Sequence, residues 1–214
     1  MPSSIHSHSL FEQNSELAKI PLPDAELSFA EHFYAPTLAD QLFTQLLKEI
    51  DWRQESIRVW GKLHSQPRLT AWYGDNATDY SYSGIHLKAH PWTTSLLKIK
   101  KEISRATGQQ FNSVLLNLYR DQNDSMGWHS DDEPSLGLNP VIASLSLGTT
   151  RTFKIKHKAK PEQKTLSIDL TNGCLLVMGG STQHHYQHSI AKQTRILGPR
   201  INLTFRQILL PVPN

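Results

Sequence analysis

The sequence has almost no cysteine and no long apolar run. Cys174 is the single cysteine among 214 residues, so an internal disulfide is excluded. It lies in the apolar run CLLVM, which predicts a buried thiol in a reducing compartment. No stretch reaches the roughly 18 apolar residues of a membrane-spanning helix, and the start MPSSIHSHSL lacks the basic-then-apolar order of a secretion signal. We therefore expect a soluble, intracellular protein.

A strong charge of one sign is also missing. The chain has 22 Lys and Arg against 19 Asp and Glu, for a net charge of +3, which permits nucleic-acid binding without requiring it. Basic residues concentrate in RTFKIKHKAKPEQK, from Arg151 to Lys164, where Phe153 and Ile155 alternate with Arg or Lys. This alternation predicts a strand with a basic outer face, which either contacts a nucleic acid or protects a sheet edge from aggregation.

The order of the expected elements predicts an α+β fold. Residues 1–25, rich in Ser, His and Pro, predict a flexible tail, and 26–214 predict one domain. Apolar residues at helical spacing predict packing helices over about 37–50 and 91–107. From residue 111 short strands dominate, with Asn172-Gly173 as a hairpin turn. Six or more strands around an internal metal fit a jelly-roll barrel, whose mouth is a natural ligand site.

The motif H-x-D at His129 and Asp131 indicates a metal site. Side chains alternate along an extended segment, so these two point the same way and can bind one ion. A third ligand is available among His184, His185 and His188. Two histidines and one carboxylate leave half an octahedron open, which suits ferrous iron that binds a co-substrate and dioxygen together. Zinc accepts the same ligands, so a zinc hydrolase stays an alternative.

The segment RINLTFR, from Arg200 to Arg206, predicts a strand with a polar and an apolar face. One parity holds Arg200, Asn202, Thr204 and Arg206, and the other holds Ile201, Leu203 and Phe205. A polar, cationic inner face implies a bound anion. Guanidinium groups bind carboxylates through paired, charge-assisted hydrogen bonds, so a dicarboxylate such as 2-oxoglutarate would chelate iron at one end and meet an arginine at the other.

These motifs together resemble those of a known family. Between about Val59 and Gln207 the chain resembles the AlkB family of iron- and 2-oxoglutarate-dependent nucleic-acid dealkylases, through VWGKLHSQPR, YSYSG, NLYRD, HSDDE, HYQHS and PRINLTFR. Within the family it looks most like the branch that includes the second human AlkB homologue, which repairs duplex DNA. The resemblance implies N-terminal helices, a nucleotide-recognition lid over 51–90 and a double-stranded β-helix (jelly-roll) catalytic core over 111–207.

The resemblance also implies which residues bind the cofactors. His129, Asp131 and His188 would be the catalytic Fe(II) ligands, and His188 is favoured over its neighbours because it lies in HYQHS. Dioxygen would bind the same iron. The residues implied for 2-oxoglutarate are Asn117, Tyr119, Arg200, Asn202 and Arg206, with Arg206 on the far carboxylate. Asn117 and Tyr119 share one strand parity, which agrees with a common inward direction.

The substrate residues follow from the same resemblance. Tyr82 in YSYSG corresponds to the position that stacks on an extruded base, with Tyr80 beside it and the His129 ring as the opposite wall. Trp60 corresponds to an aromatic finger that fills the gap left by a flipped base, although an isolated Trp in a strand is otherwise a core residue. Arg68 would contact phosphate. Two carboxylates, Asp132 and Glu133, would favour a cationic methylated base.

The implied function is direct reversal of alkylation damage. A dioxygenase of this kind oxidises the methyl group of 1-methyladenine or 3-methylcytosine and releases formaldehyde and succinate. We expect a monomer that acts on DNA, most readily duplex, in the cytoplasm or nucleoid of a bacterium or in a eukaryotic nucleus. The alternatives are an RNA or single-strand demethylase of the same family, a 2-oxoglutarate-dependent hydroxylase of another substrate class, and a damaged-base binding module without catalysis.

Overall fold

The computed structural model describes residues 16–59, 62–76, 78, 80–82 and 85–209. Its strands are β1 (Ala18–Ile20), β2 (Glu26–Ala30), β3 (Ser56–Val59), β4 (Lys62–Ser65), β5 (Leu69–Gly74), β6 (Tyr80–Tyr82), β7 (Ile85–Leu87), β8 (Ser113–Tyr119), β9 (Met126–His129), β10 (Ile142–Gly148), β11 (Arg151–His157), β12 (Leu166–Leu170), β13 (Leu175–Gly179), β14 (Tyr186–Ile190) and β15 (Arg200–Arg206). Its helices are α1 (Pro36–Glu49), α2 (Thr94–Thr107) and the short α3 (Thr182–His185). No helix in these ranges is long and apolar enough to cross a membrane.

Two sheets form the core of the fold. The larger sheet has the order β1-β2-β13-β10-β15-β8-β5, and the smaller has the order β12-β11-β14-β9. Every neighbouring pair in both sheets is antiparallel. Two further hairpins, β3–β4 and β6–β7, lie in the 51–90 segment. The expected α+β jelly-roll architecture is therefore confirmed.

Helices α1 and α2 cover the outer face of the larger sheet. The alternating residues Ile201, Leu203 and Phe205 of β15 belong to one buried apolar cluster with residues of both helices. A second cluster fills the space between the sheets and includes Phe153 and Ile155 of β11. The apolar half of the parity prediction for β15 is thus confirmed, and the opposite parity is left facing the barrel interior.

The two predicted helices are present with adjusted starts. The first begins at Pro36 after Ala35. The second begins at Thr94, because the Thr93 side chain accepts the Leu96 N–H at 3.2 Å and so provides an N-cap. It ends at Gly108, whose φ of 68° is the left-handed C-cap conformation that glycine adopts without steric cost.

Two expectations about the chain path were wrong, and one strand was not predicted. The tail predicted for 1–25 is too long, because Ala18–Ile20 pairs with β2 at the edge of the larger sheet. The Asn172-Gly173 turn does not close a hairpin, since it leads from β12 in one sheet to β13 in the other. Strand β14 was not expected from HYQHS, because its three polar residues obscure the alternation on which strand prediction depends.

The single cysteine is buried, as predicted. Cys174 has no exposed surface and lies in the cluster between the two sheets. Burial raises the pKa of its thiol to about 11. The thiol is therefore protonated at neutral pH and acts as a core side chain.

Candidate active site

His129, Asp131 and His188 meet inside the barrel. One ligand atom from each lies within 4.8 Å of the other two. His129 ends β9 and is directly opposite His188 on β14, with ring centroids 4.2 Å apart. Asp131 follows two residues later, with its Oδ1 3.9 Å from His129 Nε2. The sequence-predicted triad is thus assembled from two neighbouring strands and the loop that follows β9.

A β-bulge in β9 makes this assembly possible. On β14 one residue lies between His188 and Ile190, whereas on β9 two residues lie between their partners His129 and Met126. The extra residue breaks the alternation, so Met126 and His129 both line the same pocket. Trp128, next to the inward-facing metal ligand His129, points to the opposite face and is 40% exposed.

The ring of His129 is oriented by its own strand. Its Nδ1 lies 2.9 Å from the Gly127 carbonyl oxygen, within the bulge. Donation from Nδ1–H to this carbonyl leaves the Nε2 lone pair directed at the Asp131 side of the pocket. A backbone carbonyl on the second ring nitrogen is the usual way in which proteins fix the tautomer of a metal-binding histidine.

Asp131 is held from two sides. It is 3% exposed, its Oδ1 accepts a hydrogen bond from Arg206 Nη2 at 2.7 Å, and its backbone N–H donates to Gln183 Oε1 at 2.9 Å. Gln183 lies on α3, five residues before His188, and is itself buried. Sequence reasoning missed Gln183, because nothing in the sequence pairs a glutamine of one segment with a backbone amide of another.

The ionisation states of the triad suit metal binding. Burial, with His129 as a second cause, lowers the pKa of His188 to about 3, and burial likewise lowers the pKa of His129. Burial opposes ionisation of Asp131, but Arg206 and the two histidines outweigh it and hold the pKa of Asp131 below its usual value. Two neutral imidazoles and one carboxylate are the forms that coordinate a divalent cation.

The polar face of β15 continues the same pocket away from the triad. Arg200, Asn202, Thr204 and Arg206 all line it, as do Asn117 and Tyr119 of β8, which stand opposite Asn202 and Arg200 in the sheet register. The inward parity predicted for both strands is therefore present. The pocket also contains Ser144 of β10, whose Oγ accepts a hydrogen bond from Asn202 Nδ2 at 2.8 Å.

Arg200 is a buried cation with unused donors. It is 1% exposed, and its Nη2 donates to Ser146 Oγ at 2.9 Å. Its Nε and Nη1 make no hydrogen bond to any described residue. Burial lowers the pKa of Arg200, yet a guanidinium stays charged in proteins. Buried donors without partners are costly, so this end of the pocket fits an anion.

Tyr119 lies between two guanidinium groups. The Arg200 carbon is 5.1 Å and the Arg151 carbon 5.4 Å from the ring centroid. Arg151 is buried and donates to the carbonyl oxygens of Asp121, Asp124 and Ala191. Arg151, the first residue of β11, therefore does not belong to the basic outer face predicted for this strand. It instead connects the loops that contain Asp121, Asp124 and Ala191.

The two arginines of β15 occupy different ends of the pocket. They are six residues apart, which is about 20 Å along a strand, and Arg206 contacts the metal ligand Asp131. The expectation that Arg206 binds the far carboxylate stays a prediction. Arg200, which lies away from the triad, has two donor atoms, Nε and Nη1, without a hydrogen bond to a described residue, so it is a second candidate for that carboxylate.

Arg68 was expected to contact phosphate, but the structure places it inside the protein. It is 3% exposed, and its Nε donates to Asn117 Oδ1 at 2.7 Å. Its Nη1 lies 3.5 Å from the Ser125 carbonyl oxygen. This burial does not fit a contact with a nucleic-acid backbone, and it makes Arg68 a support for Asn117.

The other predicted substrate residues are only partly described. Trp60 lies outside the described residues, and for Tyr80 and Tyr82 the backbone of β6 is described without the side chains. The Asp132 side chain is 53% exposed, and its Oδ2 is 3.2 Å from Lys158 Nζ. Glu133 is half-buried, and its Oε2 has no hydrogen-bond partner among the described residues. Neither carboxylate lines the metal pocket.

The residues fit ferrous iron and 2-oxoglutarate. Two imidazoles and one carboxylate on one side of an ion are the ligands typical of non-haem Fe(II) oxygenases. The unused donors of Arg200, in the same pocket, fit the second carboxylate of a dianion whose other end reaches the metal.

Comparison with known proteins agrees with this donor set. The family model described as "2OG-Fe(II) oxygenase superfamily" matches residues 26–206. Bovine "Alpha-ketoglutarate-dependent dioxygenase alkB homolog 3" is 46% identical over 178 residues, which are 79% of this chain and 62% of the relative. Human "DNA oxidative demethylase ALKBH2" is 40% identical over 181 residues, 80% of this chain and 69% of the relative.

These matches refine the expected likeness. The chain spans about three fifths of the length of the bovine homologue 3, 62%. Its identity to homologue 3 exceeds its identity to ALKBH2, so the likeness to the second homologue is not the stronger of the two.

Solved structures show the same fold at low sequence identity. The protein titled "The structure of OsALKBH1" has a TM-score of 0.56 at 19% identity, covering 88% of this chain and 99% of that one. A prolyl hydroxylase from Trichoplax adhaerens, in complex with a hypoxia-inducible-factor peptide, has a TM-score of 0.59 at 10% identity, covering 86% and 83%. At these identities the likeness concerns the fold alone.

Proposed function

Because this chain belongs to the 2OG-Fe(II) oxygenase superfamily and, within it, to the AlkB family, we propose that it is a dioxygenase that repairs alkylated DNA. Its proposed substrates are 1-methyladenine and 3-methylcytosine in DNA. We further propose that it is a monomer and that it acts where the cell keeps its DNA, in the nucleoid or the nucleus. The observation that supports this most directly is one pocket with a two-His-one-carboxylate triad and a buried arginine with unused donors.

His129, Asp131 and His188 would hold Fe(II). When iron, 2-oxoglutarate and dioxygen are bound, they supply an oxidation in which one oxygen atom enters the methyl carbon and the other enters succinate, with loss of carbon dioxide. The hydroxymethyl group then leaves the base nitrogen as formaldehyde, and the base is restored. The protein itself needs little acid-base chemistry, and its role is to position the methyl group.

The remaining pocket residues would bind and orient 2-oxoglutarate. Arg200 would form the charge-assisted hydrogen bonds to the far carboxylate, with Tyr119 beside it. Arg206 would stay near the metal end, where it balances the charge of Asp131. Asn117 and Asn202 line the pocket between them, and each is fixed by a buried partner, Arg68 and Ser144 respectively.

The damaged base would enter from the segment 51–90, which we propose as the nucleotide-recognition lid over a jelly-roll core of 111–207. Tyr82 and Tyr80 on β6, and Trp60 between β3 and β4, remain the proposed stacking residues. A base that is damaged and mispaired leaves its stack at the lowest cost, which favours lesions over intact bases. Asp132 and Glu133, which directly follow the ligand Asp131, remain the proposed carboxylates for a cationic methylated base.

The proposal is tested with oligonucleotides that contain one 1-methyladenine or 3-methylcytosine. In the presence of Fe(II), 2-oxoglutarate and oxygen, the protein should release formaldehyde and succinate in equal amounts. His188→Ala should abolish both products, whereas His184→Ala and His185→Ala, which remove the other candidate ligands of the same segment, should keep most of the activity. Iron-loaded protein that leaves every lesion intact would contradict the proposal.

A further inference from the structure

Trp128 is exposed beside the metal site on the outer face of the smaller sheet. The β9 bulge turns His129 into the pocket and leaves Trp128 outside it, with 40% of its surface exposed. Removing an indole of this size from water is strongly favourable. An exposed tryptophan one residue from a metal ligand is therefore a candidate contact for a substrate that approaches that metal.

A lysine lies over this tryptophan. Lys156 Nζ is 4.3 Å from the centroid of the Trp128 ring. Lys156 is on β11, where Phe153, Ile155 and His157 are buried, so the intervening residues, including the exposed Lys154, form the outer face. A cation and a π face thus stand together on a surface with further positive charge.

Two lysines of β11, Lys154 and Lys156, lie on the same outer face. Asp132 pairs with Lys158 at 3.2 Å, and Asp169, which accepts a hydrogen bond from Thr152, lies at the far end of β11. The two lysines favour a polyanion at this surface. Aromatic side chains beside a basic track are the usual binding surface for a single strand, because each base offers a π face and each linkage a phosphate.

We propose that Trp128 and Lys156 bind a nucleotide that flanks the lesion on a single strand, with its base stacked on Trp128 and its phosphate held by Lys156. The inference rests on the proposed function and extends it to the form of the substrate. A base in a duplex is covered on both faces by its neighbours, whereas a single strand can offer a free face to Trp128. The pair therefore favours unpaired substrates, such as gaps, loops or free strands.

The alternative is that the pair only stabilises the edge strand β9. In that case, substitution would weaken folding and would affect all substrates alike. The two explanations differ in one measurable quantity, which is the ratio of kcat/KM on a single-stranded pentanucleotide with a central lesion to kcat/KM on the corresponding methylated mononucleotide. Only the proposed contact depends on a flanking nucleotide.

We expect Trp128→Ala to lower this ratio about tenfold, as stacking of one base on an aromatic ring implies. Trp128→Phe should recover most of the ratio, because it keeps a π face. Lys156→Gln should lower the ratio and weaken its dependence on salt, since one phosphate contact is lost. Lys101→Gln, an exposed lysine on α2, is the matched control and should leave the ratio unchanged. Fluorescence anisotropy with an undamaged pentanucleotide should show the same order of affinities.

An unchanged ratio in Trp128→Ala would overturn the inference, as would a Phe variant no better than Ala. A wild-type protein that demethylates neither substrate would instead overturn the proposed function. Thermal unfolding of each variant identifies a loss that comes from instability, and a fall in both kcat/KM values at an unchanged ratio would assign Trp128 to folding alone.

Discussion

Strands β15 and β9 both present side chains to the same pocket, but they do so differently. β15 is regular over seven residues and is paired in register with a strand on each side. β9 has four residues, lies at the edge of the smaller sheet and contains a bulge. The regular strand positions its side chains through its own alternation, whereas the bulged strand needs partners from elsewhere, such as Gln183 and Arg206 on Asp131.

This difference separates two kinds of function. Along β15, polar residues of one parity form a fixed lining, and apolar residues of the other parity anchor the strand in the core. At β9, the bulge places Met126 and the metal ligand His129 on the same side although they are three positions apart, while Trp128 next to His129 faces outward. We therefore expect substitutions on β15 to change co-substrate binding selectively and substitutions around β9 to change metal binding selectively.

The largest expected effect tests the β15 side. Arg200→Met removes the cation assigned to the far carboxylate, and loss of one partner of a buried charge pair costs about 2–5 kcal/mol. We expect KM for 2-oxoglutarate to rise about a hundredfold or more, with the metal dissociation constant nearly unchanged. Uncoupled 2-oxoglutarate turnover and calorimetric metal titration measure the two quantities.

Arg105→Met, on the exposed side of α2, is the control for loss of a guanidinium. If Arg206→Met raised this KM while Arg200→Met did not, the original assignment of Arg206 to the far carboxylate would be restored.

A smaller effect is expected on the β9 side. Gln183→Met keeps the side-chain length but removes the oxygen that accepts the Asp131 N–H. Partners that orient metal ligands are typically worth 10- to 100-fold in metal affinity, so we expect the metal dissociation constant to rise about tenfold. Gln187→Met, the same change on β14, is the control. Equal effects of the two substitutions would show that Gln183 does not position Asp131.

The smallest effect is expected for the chemical labelling of Cys174, whose rate should not change between the wild type and Gln183→Met. The thiol is buried and its pKa is raised to about 11, so a thiol reagent at pH 8 should label it only after unfolding, in the wild type and in Gln183→Met alike. Faster labelling in the variant would mean that the loss at β9 spreads into the core.

The same thiol gives a pH dependence. Between about pH 9 and 11 the unfolded chain loses a proton that the folded chain keeps, so folding stability should fall as pH rises through this window. Urea unfolding at pH 8 and pH 10 measures the change, with Cys174→Ser as the variant that should lack this contribution.

The pocket lining could be predicted from sequence because it depends on alternation. The inward faces of Asn117 and Tyr119, and of Arg200 and Arg206, follow from the period of two in an extended chain. The shared direction of His129 and Asp131 was also predicted. The same alternation applies to Ser144 and Ser146 in IASLSLG, which accept hydrogen bonds from Asn202 and Arg200. Their inward direction could therefore also have been predicted from the sequence.

Other features could not be predicted because they depend on contacts between distant segments. The burial of Arg151 and Arg68 follows from carbonyl oxygens and amides that only the folded chain brings near them. The bulge in β9 has one signal in MGWH, because a glycine inside a strand often marks a bulge, but Gly127 alone does not show which side chains it turns into the pocket. The distribution of Arg200 and Arg206 between the two ends of the pocket likewise follows from where Asp131 lies.

One consequence of the bulge concerns changes of chain length. Loss of a single residue at Gly127 would remove the bulge and leave strict pairing, with Met126 opposite Ile190 and His129 opposite His188. Trp128 and His129 would keep their sides of the strand, but the Gly127 carbonyl oxygen beside His129 Nδ1 would be lost. An event that removes three nucleotides from the gene would therefore take away the group that orients a metal ligand without altering any other amino acid.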